Sequence, residues 1–129
     1  MYNWYAISDA RNVCPTNWHV ADTADWSSLI SYLGGEAVAG GKMKSIDTLY
    51  WSGGSNYGNN ESGLAMLPAG YMSHLWLFDG FGLYGNYWAA GEDSLNTGFK
   101  LGLVPDNWDV HIFGGEQKRS GFSVRCVKN

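Results

Sequence analysis

The chain has only two cysteines, Cys14 and Cys126, and they stand near its opposite ends. Each lies in a short apolar, aromatic segment: Cys14-Pro15-Thr16-Asn17-Trp18-His19-Val20 and Gly121-Phe122-Ser123-Val124-Arg125-Cys126-Val127. Such segments become buried strands. A chain whose ends meet must send its middle out and back, which leaves that middle free to project as loops. We expect a Cys14–Cys126 disulfide on this ground. Two buried thiols in a reducing compartment are the other reading, since free cysteine is commonly buried.

A length of 129 residues fits one domain, 1–129, with a single core. Seven Trp, eight Tyr and five Phe can fill that core with little regular structure, and eighteen Gly supply the turns. The pairing describes a loop-rich fold and not a helical bundle. Net charge is −4 with eight Lys and Arg, four of them (Lys118, Arg119, Arg125, Lys128) near the C-terminus. That is too small a basic footprint for nucleic acid. No apolar run approaches the ~20 residues of a membrane span, so membrane insertion by this domain is not expected. The start, Met1-Tyr2-Asn3-Trp4-Tyr5, lacks the basic and apolar regions of a secretion signal. The expectation is a trimmed domain whose signal or anchor lies outside it.

Along the chain, Tyr2 to Ile7 alternates polar and aromatic residues and reads as an edge strand; Val13 to Val20 reads as extended. The main helix is expected over about 23–33. Asp22 caps it, Asp25 holds its third position, and Trp26, Leu29, Ile30 and Leu33 form one apolar stripe before Gly34-Gly35. A shorter second helix is expected from Glu36 to about Gly40. Trp51 to Gly63 reads as a long functional or omega-type loop. Antiparallel strands follow. Phe99, Leu101 and Leu103 share one face of a strand, and Phe122, Val124 and Cys126 share one face of the last. Between them, Val110 and Ile112 oppose Asp109, His111 and Phe113. The class is α+β, with the terminal strands paired and a loop-rich C-terminal sheet.

Several motifs, in this order, make the chain resemble the Fibrobacter succinogenes major paralogous domain. They are Tyr2-Asn3-Trp4-Tyr5-Ala6, Cys14-Pro15-x-x-Trp18-His19-Val20, Trp26-x-x-Leu29-x-x-Tyr32-Leu33-Gly34-Gly35, and Ala39-Gly40-Gly41-Lys42-Met43-Lys44. Asn60-Glu61-Ser62-Gly63, Ala65-x-Leu67-Pro68-Ala69-Gly70-Tyr71, and Gly121 through Val127 complete the set. The resemblance implies a C-type-lectin-like fold and an extracytoplasmic setting, at a bacterial cell surface or on a phage particle. Departures concentrate between Leu75 and Gln117. Tyr87-Trp88-Ala89-Ala90 stands where the family commonly has Trp-Trp-Ser-Ser, and Val104 to Asp109 is unlike the usual Asn- and Tyr-rich stretch. That pattern is similar to the variable proteins of diversity-generating retroelements, in which adenine-directed mutagenesis rewrites a binding face. Ordinary divergence among paralogues gives the same pattern.

The resemblance therefore implies a non-catalytic recognition domain that displays a variable surface on a fixed scaffold. Its contact candidates are Trp76, Phe78, Tyr84, Asp106, Asn107, Trp108, Asp109, His111 and Phe113. Exposed aromatics are frequent anchors at interfaces, although the parity of Trp108 places it inward with Val110. A protein or cell-surface glycan is the expected partner. A calcium-dependent lectin is the second reading, with oxygens from Asn59, Asn60, Glu61, Asp106, Asn107 and Asp109. The Glu-Pro-Asn or Gln-Pro-Asp and Trp-Asn-Asp tripeptides of such lectins are absent, with Val104-Pro105-Asp106 and Asn107-Trp108-Asp109 only near them. A formylglycine-generating-like enzyme is the third, but both cysteines lie in scaffold motifs. His19, His74 and His111 have no catalytic or zinc-ligand spacing, and His19 reads as structural. No cofactor is expected.

Overall fold

The computed structural model describes residues 1–47, 49–52 and 58–129. The expected loop Trp51 to Gly63 thus lies in part outside the described residues. Among the described residues three helices, α1 (Trp4–Ile7), α2 (Thr23–Tyr32) and α3 (Glu36–Met43), accompany seven strands. The strands are β1 (Trp18–Val20), β2 (Tyr71–Met72), β3 (Phe78–Asp79), β4 (Gly85–Glu92), β5 (Thr97–Leu103), β6 (Val110–Gln117) and β7 (Cys126–Lys128). All three sheets, β1-β7, β2-β3 and β4-β5-β6, are antiparallel. The fold is α+β.

The N-terminal segment corrects one expectation. Tyr2 alone makes a strand-like bridge, exchanging hydrogen bonds with Phe122 at 2.9 and 3.0 Å. The next residues turn into α1, because the Asn3 side chain accepts from the Ala6 N–H at 2.9 Å. Asparagine offers the backbone this local alternative to a ladder. Of the stretch Val13 to Val20, only Trp18–Val20 is strand.

α2 forms where its signals predict. Asp22 Oδ1 accepts from the Ala24 and Asp25 N–H groups, and Asp25 Oδ2 accepts from the Asp22 N–H, a reciprocal cap. Trp26, Ile30 and Leu33 are buried. At the other end the Gly34 N–H donates to Ser31 and the Gly35 N–H to Ile30, with φ of 107° and 98° at the two glycines. This is the paired C-terminal cap that needs left-handed residues. α3 runs three residues beyond its expected end, through Gly40-Gly41. Added Cβ atoms there would lie 2.3 Å from the Asp109 carbonyl oxygen and 2.1 Å from the Trp108 ring. The helix keeps its glycines, despite their poor propensity, because the 108–109 loop rests directly on its backbone.

His19 has the structural role expected of it. Its ring bridges Asn129 Oδ1 at 2.6 Å and Asp25 Oδ2 at 2.9 Å, tying β1 to the cap of α2 and to the C-terminus. The Asn129 bond first, and then Asp25, raise its pKa above 6.5. A raised folded-state value means the contribution is complete below about pH 6.5 and is lost as pH rises through that higher pKa. The stability advantage of wild type over His19→Gln should therefore be larger at pH 5.5 than at pH 8.5 in thermal melts, roughly one unit below and two above the unperturbed value.

Two apolar clusters lie on opposite sides of the main sheet. Its inner face (Leu103 and Val110; Tyr87, Leu101 and Ile112; Ala89 and Phe99) packs with Trp26, Ile30, Leu33, Ala39, Met43, Trp51 and Met66. Trp88, on the outer face, packs with Ile7, Cys14, Val20 and Phe122, and its ring lies 4.5 Å from that of Phe122. Cys14 and Cys126 form a disulfide here, with Cα atoms 5.8 Å apart. Phe122, Val124 and Cys126 all turn toward this cluster.

A cleft on the outer face of the sheet

Strand register sets out the outer face as two rows. Asn86, Gly102 and His111 lie side by side on β4, β5 and β6; Trp88, Lys100 and Phe113 form the next row. The second apolar cluster covers the β4 side of this face and leaves the β5–β6 side open. Two adjoining cavities of about 270 and 400 Å³ occupy the opening. They share Tyr84, Asn86, Lys100 and Glu116 as lining, so they form one cleft. Val104, Asn107, Asp109, His111 and Phe113 bound one lobe; Tyr71, Ser73, His74, Ser120 and Phe122 bound the other.

Of the nine residues singled out from sequence, Tyr84, Asn107, Asp109, His111 and Phe113 line this cleft. Trp76 (67% exposed) and Phe78 project into solvent from the β2–β3 hairpin, outside it. Asp106 is exposed in the loop before β6. Trp108 is half-buried with its ring over Gly41, so it braces the loop from below. His111 and Phe113 are exposed, while Val110 between β6 and the core is fully buried. The outward parity expected for 109, 111 and 113 holds.

Sequence reading missed the floor. Lys100 and Glu116 form an ion pair of 2.7 Å. The Lys100 Nζ also sits 5.1 and 5.9 Å from the Phe122 and Phe113 ring centres, a range at which a ring face attracts a cation. Gly102 leaves a gap in its row; a Cβ there would come within 2.9 Å of the Phe113 ring. Asn86 is 6% exposed, and its side chain makes no hydrogen bond with any described residue. The one available signal was parity: Asn86 lies two residues before Trp88 and so faces the same way.

Lys44 supports the loop that borders this cleft. It is fully buried, and its ammonium donates to the Asn107 carbonyl at 2.5 Å and the Pro105 carbonyl at 3.5 Å, 5.2 Å above the Trp51 ring. Burial lowers its pKa to about 8, against the opposing pull of Asp106 and Asp109. The oxygens considered for calcium have local duties. Asn59 Oδ1 accepts from the Glu61 N–H, Asn60 Oδ1 from the Ala65 N–H, and Asn107 Oδ1 from the Asp109 N–H. Glu61 pairs with Lys42 at 3.1 Å. Among the described residues no group of three or more His, Cys, Asp or Glu side chains is placed to hold a metal ion. His111 approaches Glu36 at 3.3 Å.

No helix among the described residues is long and apolar enough to cross a membrane. Neither a curated protein nor a solved structure matches the chain. A sequence profile does: that of the Fibrobacter succinogenes major domain, over residues 1–128. With nearly every residue matched, the chain belongs to the Fibrobacter succinogenes major domain family.

Proposed function

We propose that this domain is a non-catalytic recognition module, with a lectin-like scaffold carrying a changeable contact surface between Leu75 and Gln117. The observation that carries the reading is the division within β6. Val110 is fully buried in the core, while His111 and Phe113, with Asp109 beside them, line an open cleft. Side chains on that face can be exchanged without touching the core, which is what a diversified binding surface requires. The disulfide, stable in an oxidising compartment, supports an extracytoplasmic setting on a cell surface or phage particle. The partner is a surface protein or glycan.

The reading is tested by replacing Asp109, His111 and Phe113 together with alanine. Labelled wild-type domain is applied to a printed glycan array and to bacterial cells, with the variant in parallel. Surface substitutions of this kind should shift stability by about 1 kcal/mol or less, while binding to whichever surface wild type recognises is abolished. Retained binding by the variant, its unfolding, or wild type binding neither surface would overturn the reading.

A further inference from the structure

We propose that the outer-face cleft takes a single pyranose residue of a neutral glycan, without a metal ion, with the Asn86 amide as its central hydrogen-bonding group. This rests on the recognition reading above and narrows it to one ligand class and one place. Asn86 lies at the junction of the two lobes, and its amide atoms keep access to the cleft. Because the amide bonds to no other described side chain or backbone group, its two donors and its acceptor are all turned to whatever occupies the cleft.

The chemistry of the surrounding groups selects the ligand. An amide offers two donors and an acceptor; the ammonium of Lys100 and the carboxylate of Glu116 each keep capacity beyond their mutual bond. Each sugar hydroxyl both donates and accepts, and vicinal hydroxyls present these functions at the spacing of one planar amide. The Tyr84 and Phe113 rings supply apolar walls for the C–H face of the ring. Charge argues the same way. Lys100 and Glu116 cancel, and Asp109 adds a carboxylate to the lining, so a phosphate or sulfate would meet repulsion. An extended peptide binds chiefly through main-chain bonds at a sheet edge, whereas these groups stand on the face of the sheet, two of them on the middle strand and its β4 neighbour.

The test is a titration followed by amide and side-chain NMR. The probes are the methyl glycosides of glucose, galactose and mannose, methyl N-acetylglucosaminide, and β-linked disaccharides of each. We expect at least one to shift the Asn86 side-chain NH₂ and the backbone signals of Lys100, Gly102 and His111, unchanged by EDTA. Tighter binding of the disaccharide would identify a glycan terminus as the source, and equal binding the free sugar. Asn86→Leu, close in size but without the amide, should weaken that binding roughly tenfold or more while its melting temperature holds or rises. A fall in melting temperature would instead assign Asn86 to bracing the fold and overturn the proposal. Failure of every probe to shift the cleft signals, or binding abolished by EDTA, overturns it too. Those failures are distinguishable from failure of the recognition reading, because the triple alanine variant would still lose cell or array binding through the wider surface.

Discussion

Replacing Cys14 and Cys126 together with alanine should lower the unfolding free energy by about 4–5 kcal/mol, the chain-entropy value for a loop of roughly a hundred residues. The bridge spans a sequence separation of 112, so it restrains almost the whole unfolded chain. In the folded state the two residues add little packing of their own beyond Ile7, Val20, Trp88 and Phe122. Loss of the sulfurs therefore acts mainly on the unfolded ensemble. Urea unfolding of wild type and the double variant, both at pH 7, reads the difference directly. A melting temperature lower by roughly 15 °C is the corresponding thermal result. A loss below about 1 kcal/mol would mean the unfolded chain already keeps its ends together.

Lys44→Met should be the most damaging single change near the cleft, costing about 2–3 kcal/mol. It leaves the Pro105 and Asn107 carbonyls without their donor, and hydrogen bonds to a charged group contribute about 1.5–3 kcal/mol each. Relief of the buried charge offsets part of that loss. The pH dependence gives a second reading. With the folded pKa near 8 and the unperturbed one at 10.5, the unfolded chain binds a proton between these values that the folded chain lacks. Stability then rises with pH across that window. Wild type should accordingly gain on Lys44→Met between about pH 8 and 10.5, measured by urea midpoints at steps through the range. A constant difference would place the ammonium in a wetter site than its burial indicates.

What could be read in advance divides by the distance over which each signal acts. α2 was legible because its cap, stripe and terminal glycines are all local, and the parity of Val110 against His111 and Phe113 needs only adjacent residues. The Tyr2–Ile7 strand failed because a strand requires a neighbour, and past Tyr2 the Asn3 side chain supplied a closer partner. The second helix continues past its expected end near Gly40, where Gly40 and Gly41 lie against Asp109 and Trp108, more than sixty residues on. The floor of the cleft was hidden for a similar reason. Asn86, Lys100 and Glu116 come from three strands, and only the register brings them together. Lys44 reaches acceptors 61 and 63 residues away. Trp76 and Phe78 carry the composition of an anchor, but their rings project into solvent and line neither lobe of the cavity, while Tyr71, Ser73 and His74 of the same hairpin do.

Lys44 has a further consequence for how such a surface copes with its surroundings. A loop organised by a free divalent ion changes shape when dilution, a chelating metabolite or acid strips that ion away. Here the positive charge is tethered through its own side chain to α3, so it cannot diffuse off. The rim from Pro105 to Asn107 should keep one conformation across wide swings in external mineral content, since neither chelation nor dilution can strip a covalently attached ammonium from beneath it.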